Sequence, residues 1–101
     1  MIKDAIDFTK HRKKNKEPIN LNNIDIIQFI ADILHINKTI INVSQTTEIA
    51  IISIYDNVIS VNALCNLYNI INDKTMYLLS SSNKITLYVD LYKLYNVIKN
   101  G

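Results

Sequence analysis

Apolar residues recur at helical spacing over residues 24–36. Ile26, Ile27, Ile30, Ile33 and Leu34 fall on one side of a helix, and Phe29 widens the stripe. Asn22 or Asn23 supplies an N-cap and Asp25 a favourable first-turn charge. Asn37-Lys38 reads as a turn and 39–43 as a short strand. A second helix is predicted from the N-cap Ser60 to about Asn72, with Leu64, Leu67, Tyr68 and Ile71 on its apolar side. Asp73-Lys74 turns the chain, 76–80 reads as a strand and 81–84 as a hairpin connection. In the return strand, 85–89, Ile85, Leu87 and Val89 alternate with Thr86 and Tyr88. Asp90 is placed to cap a last helix with the stripe Leu91, Leu94, Tyr95 and Ile98, and Lys99 suits its C-terminal end.

Residues 44–59 admit two readings. EIAIISIY at 48–55 has the β-branched content of a buried strand. Thr46-Thr47-Glu48 equally resembles a helix start, with Ser44 or Thr46 as cap. KTIINVSQTTEI at 38–49 also echoes KTMYLLSSSNKI at 74–85, an offset of 36 residues, with Lys, Thr, Ser and Ile in common. If both segments are hairpins, the body is a duplicated α-β-β unit.

Charge is concentrated at one end. The run KHRKKNK holds Lys10, Arg12, Lys13, Lys14 and Lys16, five of the eleven basic residues in a chain of net charge +2. From Pro18 onward five lysines face six carboxylates, a balance of −1. Residues 1–17 therefore read as a basic arm and 18–101 as one small domain. Ile2, Ala5, Ile6 and Thr9 give the arm an amphipathic helical start, and Glu17-Pro18 ends it. Such a run neutralises phosphates and releases counterions on nucleic acid, or serves only as a solvated tail. No aromatic interleaves the run, which argues against a single-strand platform.

Composition removes most other chemistry. The only glycine is Gly101, so the glycine-dependent phosphate loops, dinucleotide fingerprints and nucleophile elbows have nowhere to form. The single thiol, Cys65, forms no internal disulfide and belongs to no Cys/His set with zinc-ligand spacing. It reads as a small core or half-buried residue, and His35 as a helix-end residue. No catalytic centre, metal or cofactor is expected, and the chain reads as a binder rather than an enzyme. No segment approaches a membrane span and no secretory leader is legible, so the expectation is a cytoplasmic protein without a membrane partner. Ile and Asn make up roughly a third of the chain, the mark of an AT-rich genome such as that of a low-GC bacterium, phage or plasmid.

With 46–56 taken as a helix, the order of elements over 24–99 resembles the winged helix-turn-helix family. The resemblance implies a small α+β domain whose helices are followed by a C-terminal β-hairpin and a final helix. It implies that 60–72 enters the major groove as recognition helix and that 80–85 forms the wing. Ala50 would be the small residue of the preceding helix, Val58 or Ile59 the apolar turn residue, and Leu64 and Leu67 the packing contacts. Asn62, Asn66 and Asn69 either stand solvated on the helix surface or, as the resemblance implies, face bases, where Asn pairs bidentately with adenine, and Lys84 would meet phosphate. Tyr88, Tyr92 and Tyr95 either finish the core with their rings while the hydroxyls stay wet or, as the resemblance implies, form a dimer interface. The turn is longer than the family's usual one and lacks its glycine, and the recognition helix has no Lys or Arg.

Two functions follow. One is a DNA-binding regulator or segregation factor acting on double-stranded DNA as a homodimer. The other is a small protein-binding module or inhibitor, of the type mobile elements use against host enzymes or defence complexes, acting by stoichiometric association. A helix at 46–56 favours the first and a strand favours the second.

Overall fold

A four-stranded antiparallel sheet forms the floor of the domain, and three helices pack on one of its faces. The computed structural model describes residues 19–55 and 59–100. The arm residues Lys10, Arg12, Lys13, Lys14 and Lys16, the arm's amphipathic start, Pro18, the Asp56-Asn57 turn and Val58 lie outside the described residues. The elements in chain order are α1 (Asn23–Leu34), a 3-10 turn (Lys38–Ile40), β1 (Ile41–Gln45), β2 (Ile49–Ile54), α2 (Val61–Ile71), β3 (Tyr77–Ser80), β4 (Ile85–Asp90) and α3 (Leu91–Asn100). The sheet order is β1-β2-β4-β3.

Residues 49–54 are a strand because Ile49, Ile51, Ile52 and Ile54 are β-branched, and because alternation gives them two faces. Ala50, Ile52 and Ile54 are fully buried beneath the helices, while Ile49, Ile51 and Ser53 look the other way. The helix that the winged-helix reading places at 46–56 is thus a strand here. Ala50 sits at its centre, paired with Val89. The order is α-β-β-α-β-β-α, that of the duplicated unit.

The repeat is visible in the geometry. β3 begins 36 residues after β1, and β4 spans the positions 36 residues after β2. Across the β2–β4 junction Ile51 pairs with Tyr88 and Ile52 with Leu87, so a local two-fold axis passes between these pairs. Both N-terminal helices are capped alike. Asn22 accepts from the Ile24 amide and Ser60 from the Ala63 amide. Both end on a non-glycine residue in the left-handed region, His35 at φ 57° and Asn72 at φ 55°. A chain with a single, terminal glycine closes its helices with Asn and His, which tolerate that conformation better than most residues.

The core fills the space between sheet and helices. Ile26, Ile30 and Leu34 of α1, Leu67 and Ile71 of α2, and Leu91 and Leu94 of α3 meet Ile52, Ile54, Leu87 and Val89. Among the described residues, no helix is long and apolar enough to cross a membrane.

Candidate functional site

The two halves share a plan but finish their outer edges differently. On the first half, α1 lies close along β1. Thr46 N–H donates to Ile49 O and closes the β1–β2 turn, so by antiparallel alternation Val43 turns its carbonyl to the outside. The Asn23 side-chain amide donates to that carbonyl at 3.2 Å. Gln45 donates to Leu21 O at 2.6 Å and to the Asn23 side chain at 2.7 Å. The chain entering α1 therefore lies against the β1 edge and takes one of its outward backbone groups, Val43 O, a partial form of the covering by which proteins blunt a strand edge.

On the second half α2 stands off β3. An apolar cleft of about 260 Å³ opens between them, lined by Val61, Leu64, Cys65 and Tyr68 of α2 and by Met76, Leu78 and Leu87. The four α2 positions recur at i, i+3, i+4 and i+7, an apolar stripe that touches the core only through Leu64 and leaves Val61, Cys65 and Tyr68 exposed. Val61 is 73% exposed. All four residues of β3 are exposed, with Leu78 at 40% and Leu79 at 53%. Ser81 N–H donates to Lys84 O, which closes the β3–β4 turn. By the same alternation the amides and carbonyls of Leu78 and Ser80 point away from β4, along the outer edge.

The open face of the sheet continues this apolar region. Tyr77 stacks on Tyr88 with ring centres 4.8 Å apart, and Ile51 lies beside Tyr88 in the pairing. The β1 side of the same face is polar, with Asn42 and Ser44 exposed.

One buried carboxylate holds the entry to β3. Asp73 is 3% exposed and accepts from the Thr75 hydroxyl at 2.6 Å, the Thr75 amide at 2.9 Å and the Asp90 amide at 2.8 Å. Burial pushes its carboxyl up. The bonds from Thr75 and Asp90, with the charge of Lys93 added, outweigh that and hold it below its ordinary range. Asp73 ties the α2–β3 turn to the end of β4, and so sets where β3 begins.

Among the described residues, the expected sites fall on several parts of the surface. Asn62, Asn66 and Asn69 are exposed and line a shallow depression beside Ile33 and His35, on the helical side. Lys84 lies at the hairpin end, its ammonium 5.7 Å above the ring of Tyr55 just past β2. Tyr88 stacks on Tyr77, whereas Tyr95 packs against the core under Lys99, and Tyr92 is half-buried in the first turn of α3. Cys65, expected in or near the core, is exposed in the cleft wall. Tyr68, assigned to the core side of α2, is 44% exposed. The stripe that sequence reasoning missed was readable as a second i, i+3, i+4, i+7 series on α2. The edge was readable as three consecutive apolar residues, Tyr77, Leu78 and Leu79, where a half-buried strand alternates.

A second apolar depression, between Phe29, Ile33, Ile70, Val97 and Ile98, lies where the helix ends meet and exposes no strand edge. Among the described residues no cluster of three or more His, Cys, Asp or Glu side chains could hold a metal ion. No family model, curated protein or solved structure matches the chain.

Proposed function

We infer that the chain is a non-enzymatic protein-binding module that acts by stoichiometric association, docking its partner on the β3 edge and the α2–β3 cleft. The observation that carries this reading is the asymmetry between the halves. One strand edge has the entry to α1 bonded along it, Asn23 to Val43 O and the Gln45 side chain to Leu21 O. The other joins unpaired backbone at Leu78 and Ser80 to a 260 Å³ apolar cleft. An exposed edge beside an apolar groove is the arrangement used in strand addition, where backbone bonds give affinity and side-chain pockets give selectivity.

The DNA-binding reading draws on the arm, the Asn62-Asn66-Asn69 row and Lys84. The body it would use is balanced in charge, and its polar row and its lysine stand on different parts of the surface. Fluorescence anisotropy with AT-rich and GC-rich duplexes at two salt concentrations separates the readings. Duplex binding is expected to fall steeply with salt. It is expected to vanish when Lys10, Arg12, Lys13, Lys14 and Lys16 are all replaced by Gln. Duplex binding that survives in that variant, prefers AT-rich sequence and is lost on replacing Asn62, Asn66 and Asn69 by Ala would overturn the protein-binding reading in favour of a domain that reads DNA.

A further inference from the structure

We propose that the occupant of the β3 edge is a second copy of this chain, two four-stranded sheets joining through β3 into one continuous antiparallel sheet. This names the partner for the docking surface inferred above and rests on that reading. The pairing pattern of the sheet carries it. On the helical face a row of apolar side chains crosses the strands, from Val43 to Ile52 to Leu87 to Leu78. The first three are buried, whereas Leu78, at the edge, is 40% exposed. On the open face a second row runs from Ile51 through Tyr88 to Tyr77, which is 55% exposed. Both rows end at β3 with no strand beyond it.

A two-fold axis through Leu78 continues both rows. Leu78 then meets Leu78 of the second copy, and Tyr77 of each copy meets Leu79 of the other. Antiparallel alternation turns the Leu78 amide and carbonyl outward, so the two Leu78 residues exchange both backbone bonds, and the Tyr77–Leu79 pairs take the closer, unbonded spacing. Neighbouring axes match less well. An axis on Leu79 sets Leu78 against Ser80 and Tyr77 against Ser81, and an axis on Tyr77 sets Leu79 against Thr75. Residues 75–83 carry no charge and no proline, and no bulge breaks the β3–β4 register, so the edge lacks these common devices against self-pairing. The Lys84 ammonium lies over the ring of Tyr55, past β2.

The fold already uses this geometry once, where β2 and β4 pair about the local two-fold axis with the helices of both halves on one face. An axis normal to the sheet again leaves all helices on one face. It brings the two α2–β3 clefts together over the paired Leu78 side chains. The β1 edge has no matching surface, with Val43 O bonded to Asn23 and with Asn42 and Ser44 exposed on its open face. Pairing therefore closes at two copies.

Sedimentation equilibrium and amide hydrogen exchange on the full chain test this. A monomer–dimer equilibrium is expected, with exchange at Leu78 slowing as concentration rises and Tyr77 and Leu79 held by β4 throughout. Leu78→Lys and Leu78→Asp are each expected to weaken the dimer about tenfold at low salt. Both should keep the parent's circular dichroism, because position 78 is exposed. An equimolar mixture of the two variants is expected to recover association, since the axis sets position 78 against itself. A mixture no tighter than either variant alone, or a dimer in which Leu78 exchanges freely, would contradict the proposal. So would a monomer at every concentration up to the millimolar range. In that last case crosslinking from position 78 to a different protein would leave the docking surface standing, and its absence would remove both.

Discussion

Replacing Ile52 with Ala is expected to lower the unfolding free energy by about 3 kcal/mol and the thermal midpoint by on the order of 15 °C. Ile52 is fully buried at the centre of β2, where it pairs with Val43 on one side and Leu87 on the other. It stands at the local two-fold axis, so the cavity left by truncation falls on the seam between the two α-β-β halves. The helices above are held by the rest of the core and cannot close fully onto the gap, and that residual volume makes the loss exceed simple transfer from water. Leu79→Ala, two strands away on the exposed edge, is expected to stay within about 0.5 kcal/mol of the parent. Urea and thermal unfolding followed by circular dichroism measure both. Equal, small effects would contradict a core centred on this seam.

Asp73→Asn is expected to cost about 2 kcal/mol near neutral pH. The carboxylate accepts three hydrogen bonds with two oxygens, one oxygen facing both Thr75 donors and the other facing the Asp90 amide. An amide side chain keeps one acceptor and turns an NH2 group toward a donor, so at least one buried bond is replaced by a repulsive contact. The loss depends on pH with a definite sign. Because the folded carboxyl titrates below its ordinary range, its ionised form is favoured by folding. That contribution is fully present above the unfolded value, near ~4. It is lost as pH falls through the folded value. Parent and Asp73→Asn should therefore differ most at neutral pH and converge in acid, where the protonated carboxyl resembles the amide. Urea unfolding at neutral pH and at about pH 3 checks this. A gap constant across that range would mean that the carboxylate's charge contributes nothing to holding the turn.

The elements carrying their own local signals were legible in the sequence. Asn22, Ser60 and Asp90 cap the helices as their positions suggest, and the alternation of Ile85, Leu87 and Val89 marks β4 and its buried face. Residues 49–54 were ambiguous because Ile serves both buried strands and buried helices, and Thr46 looks like a cap in either. Its hydroxyl does accept amide bonds, from Glu48 and Ile49, but within a β-turn rather than at a helix start. The partner strands β1 and β4, far off in sequence, decide the matter through pairing that local pattern does not contain. The cleft was hidden for a related reason. Leu64 and Tyr68 satisfy the core period of α2 as well as the outer stripe, and only the stand-off of α2 from β3 shows which side they serve. The candidate DNA surface is dispersed because Asn62, Asn66 and Asn69 belong to the helical layer and Lys84 to the sheet's hairpin end.

The central claim is that the β3 edge, and not the β1 edge, is where a partner protein docks. Site-specific photocrosslinking in cells that make the protein tests it most directly, with a benzophenone side chain placed at position 78 in one variant and at position 42 in another. Both positions are exposed, one beside the open edge and cleft and the other on β1. A discrete adduct of one-to-one stoichiometry is expected from position 78 and none from position 42. Equal adducts from both positions, or none from position 78 while the Asn62-Asn66-Asn69 side crosslinks to DNA, would contradict it.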